Sequence, residues 1–182
     1  MSAEYLREAT TAYLGRYMPS VFQLKQVLWR KIDKNIRMRG AGNRADYAEM
    51  IQAELEYRKQ TGALDDLRFA EAWVESLHKK GKSRLQIKVK LQQKGIESAI
   101  IQQSLEMLED DVLDYALEAA IQYARKRRFG PFQMDVQKRE NRRQKDIAAM
   151  MRAGHAYDSI RKIMACQTLD EIELLYQDLG FE

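Results

Sequence analysis

Between Arg125 and Lys145 the chain carries nine basic residues: Arg125, Lys126, Arg127, Arg128, Lys138, Arg139, Arg142, Arg143 and Lys145. Only two acids, Asp135 and Glu140, lie among them. The chemistry open to such a run is electrostatic, namely binding a polyanion or an acidic protein surface. Lys138, Arg142 and Lys145 are spaced four and then three apart, which puts them on one stripe of a helix, with Arg139 and Arg143 flanking it. Each Lys or Arg that meets a nucleic-acid phosphate releases condensed counterions, so a helical stripe suits a phosphate backbone. A basic run is ordinarily a solvated helix face, but acids at neutralising spacing are nearly absent here. Arg84 and Lys88 in the middle of the chain, and Arg16, Lys25, Arg30 and Lys31 near its start, can continue the same surface.

No other constellation suggests catalysis. Asp65 and Asp66 look like paired carboxylates, but they open an amphipathic helix, where a cap and a first-turn acid are expected. His78 and His155 have no Cys or carboxylate at ligand spacing. Cys166 reads as a small buried apolar residue. Gly40-Ala41-Gly42 lacks the Lys-Ser/Thr of a phosphate loop. Phe69 and Trp73 belong to a packed face, whereas Trp29, beside Arg30 and Lys31, is the aromatic open to a contact role. The expectation is a non-enzyme with no metal and no cofactor.

The elements that must position these side chains come from a duplication. Met18-Pro19-Ser20-Val21-Phe22-Gln23-Leu24 recurs as Lys82-Ser83-Arg84-Leu85-Gln86-Ile87, each copy with Ser three residues before Gln. That spacing is a capping box. A degraded third copy is visible in its second half: Lys94-Gly95-Ile96 with Ile101 and Leu105 matches Ala153-Gly154-His155 with Ile160 and Met164. In that copy Arg142 stands where the others have Ser. Repetition at this period means stacked helical units.

Two prolines, nine glycines and no alternating strand pattern make the chain almost wholly helical. The first helix is expected from Ala3 to Met18, stopped by Pro19, with Tyr5, Ala9, Ala12 and Tyr13 on one side. Ser20 caps a second helix with Val21, Leu24, Val27, Leu28 and Ile32 inward. Arg37 to Arg44 is a basic glycine-rich loop, Asp46 and Glu49 a further capping box, and Gly62 a stop. Asp65 caps the helix of Phe69, Ala70, Val74 and Leu77, ended by Gly81. Ser83 starts a helix with Leu85, Val89 and Leu91 inward, ended by Gly95. The third unit opens near Val112 and is broken at Phe129-Gly130-Pro131-Phe132. A basic helix then runs from Asp135 to Met151. Thr168 and Glu171 box the start of a last helix that Gly180 ends. The expected fold is all-α: an elongated, curved array of three three-helix repeats, residues 1–62, 63–111 and 112–182, the last with an extra C-terminal helix.

Net charge is +4 over 182 residues, but six acids and no base lie from Glu106 to Glu118, and five acids and no base from Thr168 to Glu182. The acidic tail either docks near the basic stripe or completes the third unit's core. With a lone cysteine, no apolar leader and no membrane-length apolar run, a cytoplasmic location is expected.

The segment Gly62-Ala63-Leu64-Asp65-Asp66-Leu67-Arg68-Phe69-Ala70-Glu71-Ala72-Trp73-Val74, with Gly81-Lys82-Ser83-Arg84-Leu85 and Leu91-Gln92-Gln93-Lys94-Gly95-Ile96, resembles the central repeat of the RecX family. Tyr13-Leu14-Gly15-Arg16 with Ser20 and Leu24 resembles it again. The family's last repeat differs, since here it reads Met150-Met151-Arg152-Ala153-Gly154-His155. The resemblance implies a regulator of RecA recombinase that lies in the groove of the filament on single-stranded DNA and suppresses ATP hydrolysis and strand exchange. The implied partners are the RecA-type filament and single-stranded DNA, with weaker duplex binding, no membrane and a monomeric state. The candidate contact residues are then Arg16, Lys25, Arg30, Lys31, Arg84, Lys88, Arg127, Arg128, Lys138, Arg139, Arg142, Arg143 and Lys145. Two other readings stand beside this one. A helix–turn–helix transcription factor would read bases with Arg84 and Gln86. A helical adaptor would bind protein alone.

Overall fold

A computed structural model describes residues 2–40, 42–111 and 114–177, apart from the side chains of Arg39, Asp110 and Asp111. Ala41 in the basic loop, Val112 and the Leu179–Gly180 helix end lie outside the described residues. Among the described residues there are ten α-helices and no strand. They are α1 (Ala3–Leu14), α2 (Val21–Arg39), α3 (Ala45–Gln60), α4 (Asp66–Lys79), α5 (Arg84–Gln93), α6 (Ser98–Asp111), α7 (Tyr115–Arg127), α8 (Val136–Arg152), α9 (Tyr157–Ala165) and α10 (Leu169–Gln177). A short 3-10 turn spans Gly130–Phe132. The order is three helices three times and one more, as the repeats require.

The chain forms two compact units, Met1–Ala70 with Gln92–Ile100, and Glu71–Leu91 with Ile101–Glu182. In the first, α1, α2 and α3 pack on one another around Leu6, Leu24, Leu28, Ile32, Ile51 and Leu55. Leu24, Leu28 and Ile32 are four residues apart and fully buried, so one stripe of α2 forms the centre of this core. In the second unit, α7, α8 and α9 surround Ile121, Ala124, Met150, Ile160 and Ile163. Ile172 of α10 enters the same core. Burying several such side chains supplies about 1.5–3 kcal/mol each.

Helix starts follow the capping chemistry. Ser20 accepts from the Gln23 amide at 3.2 Å while Gln23 Oε1 accepts from the Ser20 amide at 3.2 Å, a complete box. Asp65 Oδ1 accepts from the amides of Leu67 and Arg68. Asp135 accepts from Lys138, and Thr168 accepts from Glu171.

Four local expectations are corrected. Helix α1 ends at Leu14 rather than Met18, because Gly15 weakens the helix and the residue before proline is pushed to extended backbone. Its inward face carries Leu6 and Thr10, and Tyr5 is exposed. The box that opens α3 pairs Asn43 with Asp46, each accepting from the other's amide, so Asp46 closes the box instead of starting it. On α5 the buried pair is Ile87 and Leu91, four apart, which leaves Leu85 and Val89 facing out.

Candidate functional site

Helix α8 carries the densest charge, and its packing sorts that charge into two groups. The inward side holds Asp146 and Met150. Arg139 and Arg143 lean toward that side, and their guanidinium groups donate to the Gln167 and Met164 carbonyls at 2.6 and 2.8 Å. The Met164 carbonyl lies in the last turn of α9, whose negative dipole end and unpaired acceptors favour a cation, and the Gln167 carbonyl lies in the link that follows. Arg139 and Arg143 thus hold α8 on α9. Their sequence spacing could not separate this role from a contact role.

Lys138, Arg142 and Lys145 stay exposed on the outer stripe. Two of them have carboxylate neighbours: Lys138 Nζ is 3.4 Å from Asp135, and Arg142 Nε is 3.6 Å from Asp146. Asp146 is buried, and burial pushes its carboxyl up against the pull of Arg142. Lys145 has no carboxylate within ion-pair distance among the described residues. The charge that remains outward is therefore concentrated at Lys145 and on the outer parts of Lys138 and Arg142.

Arg127 and Arg128 close α7. Arg127 stands over the Tyr123 ring at 5.7 Å. Arg128 is exposed and holds a left-handed backbone at φ 56°, which a non-glycine residue adopts only at a cost. Arg84 pairs with Glu109 and donates to Gln102 at 3.1 Å, so it is engaged within its own unit. Lys88 is exposed on α5. In the first unit, Arg16, Lys25 and Arg30 are exposed and Lys31 is half-buried. Trp29 packs against the first core with Arg44 over its ring at 4.8 Å, and Arg44 grips Asp33 with two bonds. That indole face is already taken.

The groups that suggested chemistry are structural. Asp66 Oδ1 accepts from the Val21 amide at 2.9 Å, joining the start of α4 to the start of α2, and burial raises its carboxyl. His78 is buried, stacks on Tyr115 with ring centroids 4.2 Å apart, and has Nε2 3.1 Å from the Tyr115 carbonyl. His155 is buried with Nε2 unpartnered; burial first, and then the Lys82 charge, lower its pKa to about 4. Tyr115, whose hydroxyl is also buried without a partner, borders with His155 a cavity of about 180 Å³. Burial raises the Cys166 thiol, keeping it protonated. Among the described residues no group of His, Cys, Asp and Glu is placed to hold a metal ion, and no helix is long and apolar enough to cross a membrane.

One arrangement was missed by sequence reasoning and recurs. Besides accepting from Gln23, Ser20 Oγ donates to the Lys94 carbonyl at 2.6 Å, 74 residues away. Ser83 Oγ accepts from the Gln86 amide at 3.3 Å and donates to the Ala153 carbonyl at 2.6 Å, 70 residues away. Each acceptor immediately precedes a left-handed glycine, Gly95 or Gly154. Each glycine lies against the side chain two residues after the serine, Phe22 or Leu85. The duplicated Ser, together with the matching glycine offsets, was the available signal.

A family model described as the second three-helix domain of RecX matches residues 65–105. The chain is 35% identical over 171 residues to a regulatory protein RecX from Agrobacterium fabrum, covering 94% of this chain and 88% of that one. It is 32% identical over 164 residues to a regulatory protein RecX from Myxococcus xanthus, covering 90% and 86%. The crystal structure of RecX from Lactobacillus salivarius shares the fold with a TM-score of 0.61 at 18% identity, over 90% of this chain and 94% of that chain. At 32 and 35% identity over nearly the full length of both relatives, the chain belongs to the RecX family of regulatory proteins.

Proposed function

We propose that this regulator acts on a RecA-type recombinase filament assembled on single-stranded DNA, inhibiting its ATP hydrolysis and strand exchange without catalysis, metal or cofactor of its own. It works as a cytoplasmic monomer whose three repeats, residues 1–62, 63–111 and 112–182, supply the binding surface. By bridging filament subunits it hinders the motion coupled to hydrolysis. The observation that carries this reading is the outward stripe Lys138, Arg142 and Lys145, on a helix whose other two central arginines are committed to carbonyls. In a family of regulators, that leaves a surface suited to phosphates or to acidic protein. Duplex DNA, which offers the same phosphates without the filament, is bound more weakly.

The transcription-factor reading loses its two base-reading candidates. Arg84 is paired with Glu109, and Gln86 buries its Oε1.

The test is recombinase ATPase in the presence of this protein. Inhibition is expected, and the double variant Arg142→Glu with Lys145→Glu should weaken it without unfolding the protein, although loss of the Arg142 neighbour of the buried Asp146 lowers the melting temperature. Each lost phosphate contact should also lower the log–log salt slope by about one. An ATPase insensitive to the protein would sink the proposal.

A further inference from the structure

Phe69 and Trp73 belong by periodicity to a packed face, but at the turn between α1 and α2 of the first unit large apolar side chains stand open to solvent. Tyr17 is 59% exposed, Met18 57% and Phe22 42%. The Tyr17 ring rests against Tyr13, with centroids 4.9 Å apart. Phe22 is seated on Gly95 so closely that a Cβ added there would lie 2.3 Å from the Phe22 Cβ and 2.4 Å from its ring carbon Cγ. Both rings are held from behind and open in front. Arg16 and Lys25, both exposed, flank them, and no Asp or Glu occurs between Ala9 and Ile32. The carboxylate bonded to this turn, Asp66, is half-buried and tied to the Val21 amide.

We propose that Tyr17, Met18 and Phe22, flanked by Arg16 and Lys25, form a stacking platform for the unpaired bases of a single-stranded nucleic acid. Aromatic faces bordered by cations bind single strands because every base has a π-face and every linkage a negative charge. Rings already fixed by Tyr13 and Gly95 lose little freedom when a base lands on them. A purely apolar protein partner would have no use for the flanking cations. The second copy of the motif lacks the platform: Lys80, Gly81 and Leu85 stand where the first has Tyr17, Met18 and Phe22, although Lys88 matches Lys25. This rests on the filament reading only in taking single-stranded DNA as a partner, and it is tested without recombinase.

The experiment compares binding of the full chain to an oligothymidylate and to an abasic strand of the same length and charge, by fluorescence anisotropy across a salt series. The thymidine strand should bind about tenfold more tightly, since one stacked base contributes roughly a factor of five to a hundred or more. Tyr17→Ala should remove most of that advantage and leave the abasic affinity and the salt slope unchanged. Phe22→Leu, which installs the residue found at the matching position of the second copy, should do the same while keeping an apolar contact with Gly95. Lys25→Gln should weaken both strands and lower the slope, and Leu85→Ala should change neither. Equal affinity for the two strands, binding to neither, or a Tyr17→Ala variant with unaltered preference would overturn the platform. Loss of recombinase inhibition in Tyr17→Ala with unchanged strand binding would also overturn it, assigning the rings to a protein surface while the filament reading stands. ATPase inhibition decides that reading separately.

Discussion

Ser20 and Ser83 each cap a helix and donate to a distant carbonyl over 2.6 Å, yet they do so in different surroundings. In the first unit the box is complete, the glycine carries an aromatic ring, and the residue after the glycine is the buried Ile96. In the second, Gln86 leaves its Oε1 unpartnered, the glycine touches Ser83 and Leu85, and the residue after it is the buried His155. The hydrogen bond is the shared part of the joint, and the packing around it has diverged. After its glycine the first joint has an apolar side chain, whereas the second has a titratable ring beside a cavity.

The glycines give the largest expected effects. Gly95→Ala meets a left-handed backbone at φ 76° and the Phe22 contacts of 2.3 to 2.8 Å. The backbone term costs about 1–2 kcal/mol and overpacking about 1–3 kcal/mol, so a total of about 2–5 kcal/mol is expected in chemical denaturation. Gly154→Ala, at φ 82°, meets Ser83 Oγ at 2.9 Å and Leu85 Cβ at 3.3 Å, and should cost less because these contacts are longer than those of Phe22 on Gly95. Equal costs would mean that the ring against Gly95 is not what distinguishes the joints.

Ser20→Ala and Ser83→Ala should each destabilise by about 1–2 kcal/mol, through loss of the cap and of the carbonyl's partner. Similar values would confirm the bond as the common element, while a cost at only one site would break the comparison.

The histidine should make the second joint sensitive to pH. His155 binds its proton only near pH 4 when folded, against an ordinary value of 6.5. Between those values the unfolded chain binds more protons, so its contribution is fully present above about pH 6.5 and is lost as pH falls toward 4. His155→Ile, which copies Ile96 of the first joint, should flatten that part of the stability profile. Asp66 and Asp146, with raised carboxyls, act in the opposite sense in acid, so the difference between parent and variant is the quantity to measure.

The smallest contrast lies in the glutamines. Gln23→Ala should cost a few tenths to about 1 kcal/mol by opening a complete box, and Gln86→Ala close to nothing, because its box is not closed. A larger loss at Gln86 would show that its buried amide has a partner in solution.

Much of this fold is legible along the chain. Helix starts depend on side chains within three residues of the backbone they cap, so Ser20, Asp65, Ser83 and Thr168 announce themselves. The buried stripe of α2 is a matter of periodicity, and the duplicated Ser and Gly positions reveal the repeat. Tertiary packing decided the rest, because it depends on which groups meet across more than twenty residues. It separated Arg139 and Arg143, bound to carbonyls in the last turn of α9 and in the link after it, from Lys138, Arg142 and Lys145 on the same helix. It turned Leu85 and Val89 outward, although the local pattern placed them inward, and left Phe22 open as well. It settled α10 on the core through Ile172, although the acidic sequence allowed docking by charge as well. Local chemistry fixes where helices begin, and only the approach of one helix to another fixes which of their charges and rings remain for a partner.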